Sequence, residues 1–387
     1  MGWRARVDRS VSGDGLSVAL HSRRGIVLEA EFAVAPGELL ALVGPSGSGK
    51  TTVLRTIAGL HRPQIGLIRC NGEAWLDTAG GLYLPPQKRR VGMVFQDYAL
   101  FPHLTALDNL ILAMDGGDRA QRIRRARQLL NLVRLEGLEQ RLPSALSGGQ
   151  QQRVAVARAL ARDPRALLLD EPFSAVDMMT RERLQRELAL LRQGIDIPVL
   201  LVTHDLQEAT ALADRICVLH DGKSLQTGTP EALFRRPESP RVARLLGRQN
   251  VFSGVVTRAH GGECLQWGGL TLELAQASGL PDGARVNWYI PDSDIVLHRR
   301  GRPSRGEREN PVRGTVDECV VMGAQTSVVL RCHHTGDALR LSVSTHAARR
   351  NGLTPGVDAT VSLLGKGLHV MAPREHARDP VAKGGFS

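Results

Sequence analysis

From Leu16 to Val34 apolar and polar residues alternate, with a break over Ser22–Gly25, and the pattern predicts two strands and a turn. Glu38–Val43 reads as a buried strand that runs straight into Gly44–Thr52. Val53–Leu60 then takes up the helical period. Val91–Phe95 predicts a further short strand. Arg119–Arg134 predicts a charged amphipathic helix with Ile123, Ala126, Leu129, Leu130 and Val133 on one side. Ala166–Leu169 and Val199–Val202 are β-rich apolar runs, with a helical Arg181–Arg192 between them. Strands alternating with helices predict an α/β domain around a mostly parallel sheet.

The pattern changes near Pro237–Pro240. Beyond Gly247 short alternating segments are separated by Gly and Pro, which predicts an all-β region. This region repeats itself. Asn250-Val-Phe-Ser-Gly254-Val-Val256 is echoed by Asn310-Pro-Val-Arg-Gly314-Thr-Val316. Gly279-Leu-Pro-Asp-Gly283 with Val286 is echoed by Gly352-Leu-Thr-Pro-Gly356 with Val361. Two landmarks in one order predict two similar small β-units, with the polar Gly301–Asn310 as the linker between them. The expected division is an α/β domain over 1–236, a linker over 237–249 and a β-repeat domain over 250–387.

Composition narrows the class. At roughly 150 residues per domain, 387 residues suit two or three domains. Hydrophobic residues are 42% and aromatic residues only 4%, so the cores must be aliphatic. No apolar run approaches the ~18 residues of a membrane helix. No apolar segment follows Arg4, Arg6, Asp8 and Arg9, so no secretory signal is expected. The five cysteines are scattered, which suits reduced thiols. Cys332-His333-His334 lacks a partner pair at zinc spacing. The net charge of +11 is spread and mostly arginine, and Arg119–Arg127 reads as a solvated helix face. A nucleic-acid surface would show a denser stripe, so no nucleic acid is expected as a partner.

The candidate chemistry begins at Gly44-Pro45-Ser46-Gly47-Ser48-Gly49-Lys50-Thr51-Thr52. It fits G-x-x-x-x-G-K-[ST] and lies between a predicted strand and a predicted helix, as a phosphate loop requires. Glycines let the backbone wrap close to phosphate, and N–H groups at the helix start form an anion nest. Lys50 would reach the β- and γ-phosphates of a nucleotide, and the Thr51 hydroxyl would ligate Mg²⁺. Downstream, the apolar Leu167-Leu-Leu ends in Asp170-Glu171-Pro172. Asp170 would hold Mg²⁺, and Glu171 would orient and deprotonate the attacking water.

Leu146-Ser147-Gly148-Gly149-Gln150-Gln-Gln-Arg153 lies between these two motifs and precedes a helical run. It resembles the signature motif of ABC ATPases, and the resemblance covers roughly residues 15–235. It implies that Ser147, Gly148, Gly149 and Gln150 bind the γ-phosphate of ATP held by a second copy of the chain. Here Ser147 would be the N-cap and both glycines would expose backbone N–H groups. Val94-Phe-Gln96-Asp97 is similar to the family's Q-loop, whose glutamine senses Mg²⁺ and the attacking water and leads into a helical subdomain, here about 97–162. Ser174-Ala-Val-Asp177 resembles the D-loop, which crosses the dimer interface. Thr203-His204-Asp205 resembles the switch histidine, which contacts the γ-phosphate and positions Glu171. The family usually stacks an aromatic on adenine after the first strand. This chain has His21-Ser-Arg-Arg24 there, leaving His21 or an arginine guanidinium for that role.

The stretch Asp77–Gln96 is similar to ATPases of oxyanion importers, molybdate in particular. Tyr98-Ala-Leu-Phe-Pro-His103 resembles the wider importer group of sulfate, ferric iron, polyamine and sugar systems. The C-terminal repeat resembles their OB-like (TOBE) domains, in which Ser342, Ser344 and Lys366 would be candidate oxyanion ligands. The fold expected is thus a P-loop ABC cassette of α/β class with a helical subdomain, followed by an all-β region of two OB-like units. The function expected is hydrolysis of ATP with Mg²⁺ to energise import, on the cytoplasmic face of the inner membrane. The partners implied are a second copy of the chain, a separate membrane permease and, indirectly, an external solute-binding protein. Molybdate is the first cargo expected, with sulfate, ferric iron or polyamine as alternatives. A non-transport ABC ATPase acting on nucleic acid or ribosomes would share the site, but usually has two cassettes or a long coiled coil. A pure anion sensor would have no use for Glu171 and His204.

Overall fold

The computed structural model describes residues 14–22, 27–174, 176, 178–192, 194–259, 262–299 and 309–372. Asp177, Arg23, Arg24 and most of the expected 301–310 linker lie outside the described residues. The chain divides into two compact units, Met1–Leu233 and Phe234–Ser387.

The first unit opens with β1 (Leu16–Ser22), β2 (Leu28–Val34) and β3 (Leu39–Val43), followed by α1 (Lys50–Ile57). Three strands that the periodicity did not reveal come next: β4 (Ile65–Cys70), β5 (Glu73–Asp77) and β6 (Leu82–Tyr83). Then come β7 (Val91–Val94) and the helices α2 (Ala106–Ala113), α3 (Arg119–Leu132) and α4 (Gly148–Leu160). The rest is β8 (Ala166–Asp170), α5 (Met178–Arg192), β9 (Val199–Thr203), α6 (Leu206–Leu212), β10 (Arg215–His220) and β11 (Lys223–Gly228). The strands form one 11-stranded sheet, ordered β6-β5-β4-β1-β2-β11-β10-β3-β9-β8-β7.

The sheet has two characters. β3, β8 and β9 are buried at every position, and β10-β3-β9-β8-β7 run parallel, as continuous apolar runs require. β2 instead alternates buried and exposed residues and pairs antiparallel with β1. Leu40, Leu42, Val53, Leu54, Leu168 and Val202 belong to one core. Because the parallel strands end on one edge, residues after β3, β7, β8 and β9 emerge side by side. Val43 pairs Thr203, Asp170 pairs Val202 and Val94 pairs Leu169.

α7 (Pro230–Arg235) spans the boundary, and α8 (Pro240–Leu245) falls inside the segment expected to be a plain linker. Ser239 caps α8 by accepting from Val242 N, and Pro240 stands at its first turn.

The second unit continues with β12 (Val251–Ala259), β13 (Gly262–Trp267), β14 (Leu270–Glu273), β15 (Arg285–Tyr289) and β16 (Ile295–Leu297). The second repeat supplies β17 (Pro311–Met322), β18 (Gln325–Cys332), β19 (Ala338–Ser344), α9 (Thr345–Arg350), β20 (Asp358–Leu363) and β21 (His369–Met371). Two five-stranded sheets result, β14-β13-β12-β15-β21 and β16-β20-β17-β18-β19. The two repeats exchange their last strands. β16 of the first completes the sheet of the second, and β21 returns to complete the sheet of the first. One apolar cluster runs through both repeats, from Trp267 and Trp288 to Leu330, Leu339 and Leu363.

The repeated Asn-x-x-x-Gly now has a physical reason. Asn250 donates to Arg340 O at 2.7 Å and accepts from Arg340 N at 2.8 Å, on the third strand of the other repeat. Asn310 does the same in return with Glu273, at 3.1 and 2.7 Å. Each buried amide thus acts as a strand backbone toward the opposite repeat. A Cβ at Gly314 would meet Arg331 O at 2.4 Å, and one at Gly254 would meet Gln266 O at 3.0 Å, so both positions need the bare backbone.

Candidate active site

The phosphate loop leaves β3 at Gly44, where a Cβ would lie 2.0 Å from Leu219 O. Gly47 and Gly49 take φ of 81° and 96°, the left-handed region that suits glycine. Gly49 is the N-cap of α1 and has no side chain to cover the helix start, so the loop's donors stay open to an anion. Lys50 is buried, and its Nζ donates to Gly44 O at 2.8 Å and Pro45 O at 3.0 Å. Burial lowers its pKa, while Glu171 and Asp170 oppose the shift. Ser48 Oγ is buried with no hydrogen-bond partner. A bare glycine cradle, a cation and an orphaned hydroxyl fit a polyphosphate.

Thr51 Oγ1 donates to Asp170 Oδ1 at 3.3 Å. Burial raises the pKa of Asp170, and the Thr51 hydrogen bond pulls it back down. A hydroxyl and a carboxylate oxygen side by side are the hard donors that Mg²⁺ selects.

Glu171 follows with φ of 45°, rare for a residue with a side chain. Its N–H donates to Val202 O at 2.9 Å, and its own carbonyl accepts from Ser174 Oγ at 2.9 Å. This turn aims the carboxylate at the neighbouring strand end, where Oε2 lies 3.1 Å from His204 Nδ1. His204 is steadied from behind. Thr203 Oγ1 donates to Glu208 Oε2 at 2.6 Å and accepts from Asp205 N at 3.0 Å.

Gln96 is exposed just past β7, beside β8 on the same sheet edge. His21 lies near the end of β1, opposite Glu29 of β2. Ser147 is the N-cap of α4 in a reciprocal capping box. Gln150 N donates to Ser147 Oγ at 3.3 Å, and Ser147 N donates to Gln150 Oε1 at 2.9 Å. Ser147 and Gln150 therefore bond to each other rather than to the phosphate loop of their own chain. Gly148 is exposed, but Gly149 is buried, and a Cβ there would sit 2.5 Å from Leu184. Glycine at the second position is thus also needed for packing against α5.

Two arginines that the motifs did not flag hold the site's surroundings. Arg158, on α4, donates to Ala99 O at 2.6 Å and Tyr98 O at 2.9 Å. Tyr98 and Ala99 both have positive φ, and Tyr98 OH donates to Pro172 O, next to Glu171. The helix that starts at Ser147 is thereby tied to the segment after Gln96, and that segment to the turn bearing the carboxylate. Arg89 is buried and donates to Thr56 O, Ile57 O, Leu84 O and Trp75 O, closing the C-terminal end of α1.

A family profile described as ABC transporter matches residues 27–174, and one described as TOBE domain matches 293–371. A sulfate/thiosulfate import ATP-binding protein of Chromobacterium violaceum is 40% identical over 337 residues, spanning 87% of this chain and 88% of the relative. One of Caulobacter vibrioides is 41% identical over 348 residues, spanning 88% and 94%. A spermidine/putrescine import ATP-binding protein of Oleidesulfovibrio alaskensis is 38% identical over 305 residues, spanning 78% and 79%. A solved ATP-binding cassette, a dimer in a post-hydrolysis state bound to ADP and Pi, is 33% identical and covers 56% of this chain with a TM-score of 0.46.

Proposed function

The chain belongs to the ABC transporter family, as an import ATP-binding subunit with a TOBE domain, and from that premise we propose how its residues divide the work. Gly44, Pro45, Ser46, Gly47, Ser48, Gly49, Lys50, Thr51 and Thr52 cradle the phosphates of ATP. Lys50 swings from its two loop carbonyls to the γ-phosphate. Thr51, Asp170 and Gln96 hold Mg²⁺, which when bound offsets charge on the phosphate oxygens. Glu171 accepts a proton from the attacking water, and His204 keeps that carboxylate in place and faces the γ-phosphate. Ser147, Gly148, Gly149 and Gln150, with Asp177, serve the ATP of a second copy. The capping box that joins Ser147 to Gln150, away from the phosphate loop's own contacts, supports that reading. His21 stands at the adenine position.

The observation that carries the proposal is the alignment, on one sheet edge, of a phosphate cradle, a Thr51–Asp170 pair and a Glu171–His204 pair. The chain's described residues include no helix long and apolar enough to cross a membrane. Import therefore needs separate permease subunits, which this ATPase would meet on the cytoplasmic face of the inner membrane, with a solute-binding protein outside. The names of the relatives support sulfate or thiosulfate, with polyamine second, and not the molybdate first expected.

The test is uptake of labelled sulfate, thiosulfate and spermidine in cells whose only copy carries Lys50→Ala. Sulfate or thiosulfate uptake should fall to background, with spermidine uptake intact. Loss of spermidine uptake alone would move the assignment to polyamines. Loss of neither would remove the import role.

A further inference from the structure

The second unit contains a cleft of about 300 Å³, lined among others by Arg235, Arg236, Gln276, Asp294, Lys366 and His369. It lies where the two repeats face each other through equivalent helical turns, Asp292–Asp294 before β16 and Gly365–Gly367 before β21. Leu364 N donates to Asp294 O at 3.0 Å, which fixes one turn against the other. The chain breaks its own repeat here. Asp-Ser-Asp in the first repeat stands opposite Gly-Lys-Gly in the second, so Asp294 and Gly367 occupy matching places.

Asp294 is 5% exposed, and its Oδ2 is buried without a hydrogen-bond partner. Only glycine fits beside that oxygen at position 367, since a Cβ there would lie 2.7 Å from it. The nearest cation is Arg235, whose Nη1 is 3.9 Å away, too far for a hydrogen bond. Arg236 donates to Gln276 Oε1 at 3.0 Å on the same wall. Lys366 is exposed at the rim. His369 adds no positive charge at neutral pH, because burial lowers its pKa. The lining therefore combines three cations with one carboxylate oxygen that lacks a donor.

These features select a ligand. An excess of cations calls for an anion, and the orphaned oxygen calls for a donor on that anion. An ammonium donor would set a second cation beside Arg235, whereas the neutral O–H of a protonated oxyanion would not. At neutral pH a phosphate group in its monoprotonated form has such an O–H, and sulfate has none. We propose that this cleft binds a monoprotonated phosphate group, with Asp294 Oδ2 accepting from the P–OH and Arg236 and Lys366 meeting the charged oxygens, and that it rejects sulfate. Of the three candidate oxyanion ligands, the cleft keeps Lys366 but not Ser342 and Ser344, which lie on β19 and do not line it. A phosphate site on a sulfate importer's ATPase would let a second nutrient anion act on the protein without competing for the transport path.

Calorimetry on the full-length chain tests this, with the phosphate loop saturated by a non-hydrolysable MgATP analogue. The titrants are inorganic phosphate, glycerol 3-phosphate and sulfate at matched ionic strength, at pH 7. Phosphate or the monoester should bind, the preferred one identifying the source, and sulfate should bind at least about tenfold more weakly, because it puts an unpaired oxygen against Asp294. Lys366→Gln, at an exposed position, should weaken phosphate binding by about fivefold or more. Asp294→Asn offers an amide donor and should bring sulfate and phosphate to similar affinity. No heat with either phosphate titrant, equal binding of sulfate by the unaltered chain, or an unchanged affinity in Lys366→Gln would overturn the site.

Discussion

Glu171 Oε2 and His204 Nδ1 lie 3.1 Å apart, joining the ends of two adjacent parallel strands. An ionised carboxylate only accepts, so Nδ1 carries the proton and, in the neutral ring, Nε2 is the acceptor. Glu171 reaches this position through a left-handed backbone, at φ of 45°, that costs of order 1–3 kcal/mol and is held by Val202 O and Ser174. His204→Ala should therefore leave ATP affinity within about threefold and lower kcat by about 10²-fold or more, because it removes positioning rather than the cradle. Nucleotide titration alongside steady-state hydrolysis separates the two effects. A large loss of affinity with kcat unchanged would assign His204 to ground-state binding.

Arg89 makes a second prediction. Its guanidinium has no carboxylate partner among the described contacts and instead serves four backbone carbonyls of three segments. Burial lowers its pKa, but the helix end it faces favours the cation. Arg89→Met would leave those carbonyls without this donor and should destabilise the first unit by about 3 kcal/mol or more. Denaturant unfolding followed in that unit measures it, and a change under about 1 kcal/mol would show that the carbonyls find other donors.

The exchanged strands make a third. Asn250→Ala and Asn310→Ala each remove a two-bond clamp onto the opposite repeat, so each should cost about 2 kcal/mol in the second unit. Since each clamp joins both repeats, either variant should lower one shared transition rather than split it. Tryptophan fluorescence reports this through Trp267 and Trp288, which pack with ring centroids 5.1 Å apart. Two separate transitions would mean that the repeats fold independently.

The thiols give a pH prediction. Burial pushes Cys70 and Cys332 up to about 12 and Cys217 up to about 11. The folded chain holds these protons where the unfolded chain releases them, so stability should fall as pH climbs from 9 toward those values. In the native protein near pH 8 the half-buried Cys319 should react first with a thiol reagent, and Cys319→Ser should abolish the fast phase. A fast phase that survives in Cys319→Ser would show that a buried thiol is accessible.

Much of this was legible before the fold. Gly44–Thr52, Asp170–Glu171 and His204 each follow a short, wholly apolar run, and such runs become neighbouring parallel strands. The runs therefore predict both the α/β class and the meeting of the three segments on one edge. Periodicity missed β4, β5 and β6, since their pairing is with one another and with β1, and Gly66 interrupts the first of them. It missed α2 because eight residues are too few to establish a helical stripe; the helix depends on the Thr105 cap and on buried Asn109, which bonds Phe101, Leu104 and Thr105. The repeat Asn-x-x-x-Gly was visible, but the exchange of β16 and β21 was not, because two repeats can pair within themselves or with each other using the same alternation. Arg89 and Arg158 act through backbone carbonyls, which carry no sequence signature.

The central claim is that Glu171 is the base of an ATPase site completed by Ser147 of a second copy. Glu171→Gln, measured by single-turnover hydrolysis and by size-exclusion with MgATP, tests both halves. The account predicts hydrolysis slowed by about 10²–10⁴-fold with ATP still bound, a dimer that persists while ATP remains, and loss of that dimer when Ser147→Arg is added. Hydrolysis by Glu171→Gln at the rate of the unaltered chain, or a monomer with MgATP bound, would contradict it.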